Sequence, residues 1–114
     1  PLLKTGAVCD QLQYCYNSSK LKVFFVDDYT NLKVLPGDII IMKNGYGFNE
    51  KTDLKHDWKG HTGYVTVQKD RTTLWTIEGN TNIAGSSDGD GVYEKTRKLY
   101  SKNKLHIVAI IRMK

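Results

Sequence analysis

Apolar positions recur with helical spacing near the start of the chain and with strand spacing after it. Thr5 is placed to cap a helix running to about Asn17, in which Val8, Leu12, Cys15 and Tyr16 fall on one face and Cys9 lies at its edge. "NSSK" ends that helix. "LKVFFV" at 21–26 reads as a short strand, and "LPGD" at 35–38 as a turn broken by Pro36 and Gly37. "DIIIMK" at 38–43 is a continuous β-branched run, the pattern of a strand buried on both faces. Residues 44–60 are polar, aromatic and punctuated by glycine, and they read as a long loop of the kind that often carries function. "HTGYVTVQ", "TTLWTIEGN", "GVYEKTRKL" and "KLHIVAIIRM" follow as strands separated by turn signals. The pattern predicts one N-terminal helix followed by five or six mostly antiparallel strands, an α+β fold in a single domain spanning residues 1–114.

Two of these strands carry candidate chemistry. Alternation along "TTLWTIEGN" puts Glu78 and Asn80 on one face. With "QKDRT" as a tight hairpin centred between Asp70 and Arg71, His61 opposes Asn80 and Gly63 opposes Glu78. Gly63 then leaves a gap beside the carboxylate. An imidazole acts as a base when one nitrogen is held and the other is free. An amide oxygen or carboxylate on the held nitrogen fixes tautomer and aim, as in thiol hydrolases of the Cys-His-Asn type.

Composition narrows the alternatives. The chain is 39% hydrophobic and 25% charged, ordinary for a globular domain. Seventeen Lys and Arg against twelve Asp and Glu give a net charge of +5, which favours an acidic partner: nucleic acid, anionic lipid or an anionic cell-wall polymer. The basic residues are scattered without interleaved aromatics, so nucleic acid is not the expected partner. No run reaches the length of a membrane span and no signal-peptide core is present. The chain opens on Pro1 and reads as processed or cut from something longer.

The remaining motifs read as structural. Cys9 and Cys15 are six apart, roughly 120° around a helix, so the helix does not bridge them and both read as free, semi-buried thiols. A zinc site from Cys9, Cys15, His56 and His61 would need unusual spacings. "DGDG" at 88–91 lacks calcium-loop spacing and reads as a turn. His56 reads as a solvated loop residue, and His106 as a satisfied core or edge residue. No metal or cofactor is expected.

Taken in order, "PGDIII", "GHTGYV", "WTIEGNT", "GDGVYEKTRK" and "IVAIIRM" resemble the CHAP family (cysteine, histidine-dependent amidohydrolase/peptidase), a branch of the papain-like superfamily close to the NlpC-type peptidases. The match runs from Pro36 to the C-terminus. "KTGAVCDQLQYC" resembles the second helix of such domains. The resemblance implies a papain-like fold and cleavage of amide bonds in peptidoglycan cross-bridges or stem peptides, outside the cell, at the cell wall or on a phage. It carries His61 over as the base and Asn80 and Glu78 as its orienting partners. The family's nucleophilic cysteine opens an earlier helix, often as Trp-Cys, and no Trp-Cys occurs here. The expectation is therefore a domain whose nucleophile helix lies on a missing or separate segment, leaving this chain inactive alone. Cys9, near a helix N-terminus where the dipole lowers a thiol pKa, is the fallback nucleophile. The rival reading is a non-catalytic wall- or protein-binding module on the same fold.

Overall fold

The structure, a computed structural model, describes residues 8–48, 60–79 and 92–114, the side chains of 8–11, 13 and 92 excepted. Among these residues are one α-helix, α1 (Val8–Asn17), and six strands: β1 (Leu21–Phe25), β2 (Ile39–Asn44), β3 (Gly60–Asp70), β4 (Thr73–Gly79), β5 (Val92–Lys98) and β6 (Leu105–Met113). They form one sheet in the order β1-β6-β2-β3-β4-β5, with every neighbouring pair antiparallel. This is the expected α+β arrangement. Each predicted strand is present, although Val26 leaves β1 for a 3₁₀ turn at Val26–Asp28.

The apolar run of β2 is explained by its place. It lies between β6 and β3, and Ile40, Ile41 and Met42 are all buried. Because alternate residues point to opposite faces, Ile40 and Met42 join one core and Ile41 the other. The first core gathers Val65, Leu74, Ile107 and Ile110 from the sheet under Val26, Leu32, Val34 and Leu99. The second packs Leu12 and Cys15 of α1 onto Phe25, Ile41, Ala109 and Ile111. A bulge in β6 opposite Ile41 and Met42 leaves Val108 unpaired in the β2 ladder, so that Val108 and Ala109 both face the helix. Leu12 and Cys15 are on the buried helix face as expected. Tyr16 is not buried; it is about half exposed, with its ring 5.6 Å from that of Phe25.

The "LPGD" turn sets where β2 begins. Asp38 N–H donates to Leu35 C=O at 3.0 Å, and Gly37 takes φ 91°, a conformation that favours glycine. Gly37 N–H then donates to Val65 C=O and Val65 N–H to Asp38 C=O, both at 2.8 Å, which fixes β2 against β3. The buried Asp38 carboxylate accepts Leu35 N–H at 2.9 Å, and Arg112 of β6 donates to it from Nε at 3.0 Å and from Nη2 at 2.7 Å. The charge of Asp38 is thus used twice, once to brace the turn and once to tie it to the far end of β6.

Asp38→Ala leaves a partly buried guanidinium without its carboxylate and the turn without its brace. The expected loss is about 3 kcal/mol, read as a lower urea midpoint at unchanged slope. A loss within experimental error of zero would show that the turn holds itself.

Candidate functional site

β3 brings His61 and Gly63 to the same face, and β4 brings Glu78 beside them. The pairs Tyr64–Ile77 and Val65–Thr76 stand in the expected frame. That frame arises differently from expectation. The hairpin turn is Arg71–Thr72, one residue later than the expected centre, because β3 continues to Asp70 and β4 begins at Thr73. Two irregularities in β3 leave Thr66 and Lys69 without β4 partners. The later turn and the two extra residues cancel, so the pairing at the Glu78 end is the expected one. The extra residues are put to use: Thr66 Oγ1 donates to Trp75 C=O at 3.1 Å, and Lys69 Nζ lies 4.1 Å from the centroid of the Trp75 ring.

Gly63 leaves room for a carboxylate. A Cβ there would lie 2.6 Å from Glu78 Cγ and 3.3 Å from the Ile77 carbonyl oxygen, so the Glu78 side chain lies across the glycine. His61 Nε2 is 3.0 Å from Glu78 Oε1, with the Glu78 side chain only 1% exposed and that of His61 16%. Glu78, expected as a companion of Asn80, thus meets the ring directly.

Two further residues complete the carboxylate's surroundings. Thr76 Oγ1 donates to Oε2 at 2.6 Å. Arg97 on β5 makes a two-pronged contact, Nε to Oε2 at 2.8 Å and Nη2 to Oε1 at 2.5 Å. Each oxygen therefore receives two donors, which fills the acceptor capacity of a carboxylate. Burial alone pushes the Glu78 carboxyl up; the hydrogen bonds from Arg97, His61 and Thr76, with the Arg97 charge, outweigh it and hold the group well below the usual carboxylate range. The same contact raises Arg97 above its ordinary value, against the effect of its own burial.

An ionised carboxylate only accepts, so the nitrogen facing it carries a proton: Nε2 is N–H. In the neutral ring, Nδ1 is then the nitrogen with a lone pair, the atom that takes up a proton. The site can fix an imidazole by one nitrogen and leave the other for proton transfer.

The other predicted residues are placed less fully. Asn80, His56 and the "DGDG" stretch lie outside the described residues. Cys9 is in α1, and its side chain also lies outside them. The helix itself packs through Leu12 and Cys15 on the Ile41 side of the sheet, the face opposite His61 and Glu78. Cys15 is a free, fully buried cysteine, more enclosed than expected, and burial pushes its thiol pKa up. His106 Nδ1 is 3.2 Å from the Lys104 carbonyl oxygen, which agrees with its reading as a satisfied core or edge residue. Among the described residues, no group of three His, Cys, Asp or Glu is placed to hold a metal ion. Arg97 and Thr76 were not singled out from the sequence. The alternation of "TTLWTIEGN" carries a signal for Thr76, on the face of Glu78, but nothing local couples Arg97 to that carboxylate.

No protein family, curated protein or solved structure matches the chain.

Gly63→Ala pushes a methyl group into the Glu78 side chain and against a backbone carbonyl. Arg97 holds Glu78 in place, so relief requires breaking that contact or moving β4. The expected loss of stability is about 1–3 kcal/mol in chemical denaturation. A Gly63→Ala protein as stable as the parent would contradict the placement of Glu78 over Gly63.

Proposed function

We propose that the chain is the histidine-bearing portion of a thiol-dependent amide hydrolase acting on peptidoglycan, on a papain-like fold of the CHAP type. The observation that carries this reading is the fixed imidazole: Nε2 bonded to a buried carboxylate, with Nδ1 meeting no hydrogen-bond partner among the described residues. Glycine 63 and the strand pairing that place these groups coincide with the "GHTGYV" and "WTIEGNT" motifs on which the resemblance rests.

In this mechanism His61 Nδ1 takes the proton of a cysteine thiol, and the thiolate adds to an amide carbonyl. The C–N bond then breaks as the imidazolium returns its proton to the departing amine, leaving a thioester. Nδ1 next takes a proton from water. The hydroxide releases the new carboxylic acid, and the thiol recovers its proton. Glu78 holds the ring through both halves and faces the charge that forms on it. Asn80, two residues on along the "EGN" stretch, supplies a second polar partner in this reading.

The attacking thiol comes from a segment or chain other than residues 1–114. The position of α1 supports this, since the helix carrying Cys9 packs on the face opposite His61. The substrate is a wall peptide, its acidic groups complementing a chain of net charge +5, and the setting is the cell wall, the extracellular space or a phage particle. No helix among the described residues is long and apolar enough to cross a membrane.

The test is digestion of purified cell walls by the full polypeptide encoded around this chain. New amino groups without new reducing ends are expected. His61→Ala should lower the rate by about 10²–10⁴-fold, Asn80→Ala by less, and the 114-residue chain alone should release nothing. A fully active His61→Ala polypeptide would refute the assignment. A full polypeptide that binds walls without cutting them would favour the binding-module reading instead.

A further inference from the structure

A buried carboxylate touching a histidine has two possible effects on it. If the carboxylate is otherwise unpaired, it acts as a counter-ion and traps the ring as imidazolium, which cannot act as a base. If its charge is already matched, it orients the ring without trapping its proton. The described residues around Glu78 show which case applies. On its own face, β3 contributes His61, Gly63 and Val65, and β2 contributes Ile40 and Met42, so His61 is the only titratable group from these two strands. β4 adds the neutral Thr76. β5 adds Tyr93 and Lys95, opposite Glu78 and Thr76 and both exposed, and Arg97. Arg97 is the cation in direct contact, and it grips both carboxylate oxygens. The register makes this contact a reach: Arg97 is paired with Leu74, so its side chain runs along β4 past Thr76 to meet Glu78.

We propose that Arg97 is a positioning residue of the His61 site, one that matches the charge of Glu78 so that the carboxylate aims the imidazole through Nε2 without locking it as imidazolium. With Arg97 present, a proton on the ring is the second positive charge set against one carboxylate; without it, that proton is the first. The same grip holds Oε1 where Nε2 meets it, because the two-pronged contact fixes the carboxylate plane. The consequence for catalysis rests on the hydrolase reading, but the charge matching does not.

The test needs no turnover. Imidazole 15N spectra of the 114-residue chain report the ratio of imidazolium to imidazole at His61, compared at whichever pH leaves the wild-type ring half protonated. Arg97→Gln should raise that ratio roughly tenfold, and Glu78→Gln should lower it, because the guanidinium then faces the ring unmatched. The Glu78→Gln/Arg97→Gln double variant should return towards the wild-type ratio, a cancellation that a purely structural role for Arg97 does not produce. Arg97→Lys should retain most of the wild-type ratio. Lys95→Gln should leave it unchanged, its charge being screened by solvent. If Arg97→Gln does not fold around an unpaired carboxylate, the comparison of Glu78→Gln with the double variant isolates Arg97, and removal of Arg97 there must raise the ratio several-fold. Equal ratios in that pair, or an unchanged ratio in folded Arg97→Gln, overturn the proposal. Loss of wall cleavage as a property of the full polypeptide would sink the hydrolase reading while leaving this result standing.

Discussion

A carboxylate with 1% of its side chain exposed must be matched by donors and charge or take up a proton, and the His61 end of the sheet is organised around how Glu78 meets that demand. Among the described residues its four donors come from three adjacent strands: His61 from β3, Thr76 from β4, and Arg97 twice from β5. The site therefore exists only when β3, β4 and β5 pair in one register. A one-residue slip of β4 would turn Glu78 to the other face and bring Ile77 to this one. Gly63 adds a steric condition, since a side chain there would occupy the space that Glu78 fills. Stability and chemistry are coupled at this point: the contacts that make the buried charge tolerable are the ones that fix the ring.

The rest of the sheet supplies a platform for that arrangement. β2, buried on both faces, separates two cores, and the "LPGD" turn locks it to β3 through Val65. The Asp38–Arg112 pair fastens the same turn to β6. The result is an internal strand, β3, held on both sides where His61 projects, the kind of support that a precisely aimed base needs. Helix α1 is on the other side of the sheet, so the face bearing His61 is covered near its middle by the 26–34 segment and Leu99 rather than by an α-helix among the described residues.

Much of this was legible in the sequence, for identifiable reasons. Period-two alternation and β-branched runs marked all six strands, and the continuous apolar "DIIIMK" marked the central one. Side-chain alternation placed Glu78 and Asn80 on one face, and the hairpin register set that face on the side of His61. The turn itself was misplaced by one residue, and the bulges at Thr66 and Lys69 were invisible, because neither has a residue signature in "TVQKD". The pairing at the site came out as expected because these two departures cancel. Arg97 was not legible: it lies on the far side of a connection, its strand neighbour is Leu74, and it reaches Glu78 only by running along the strand. The face chosen by α1 was also out of reach, since an apolar helix stripe fits either side of a sheet whose two faces are both apolar at β2.

The account stands on Glu78 being a buried carboxylate that stays ionised, and the 13C resonance of its Cδ followed against pH measures that directly. A glutamate in an unfolded chain titrates near pH 4.3. Because the folded-state value is lowered, Glu78 contributes stability that is fully present above that pH and is lost as pH falls towards the lowered value. The predicted result is a Cδ signal that remains that of a carboxylate through the ordinary glutamate range and changes only on further acidification, together with unfolding. A Glu78 signal that titrates near pH 4.3 or above in the folded protein would show that the donors do not hold the charge, and the fixed imidazole would lose its basis.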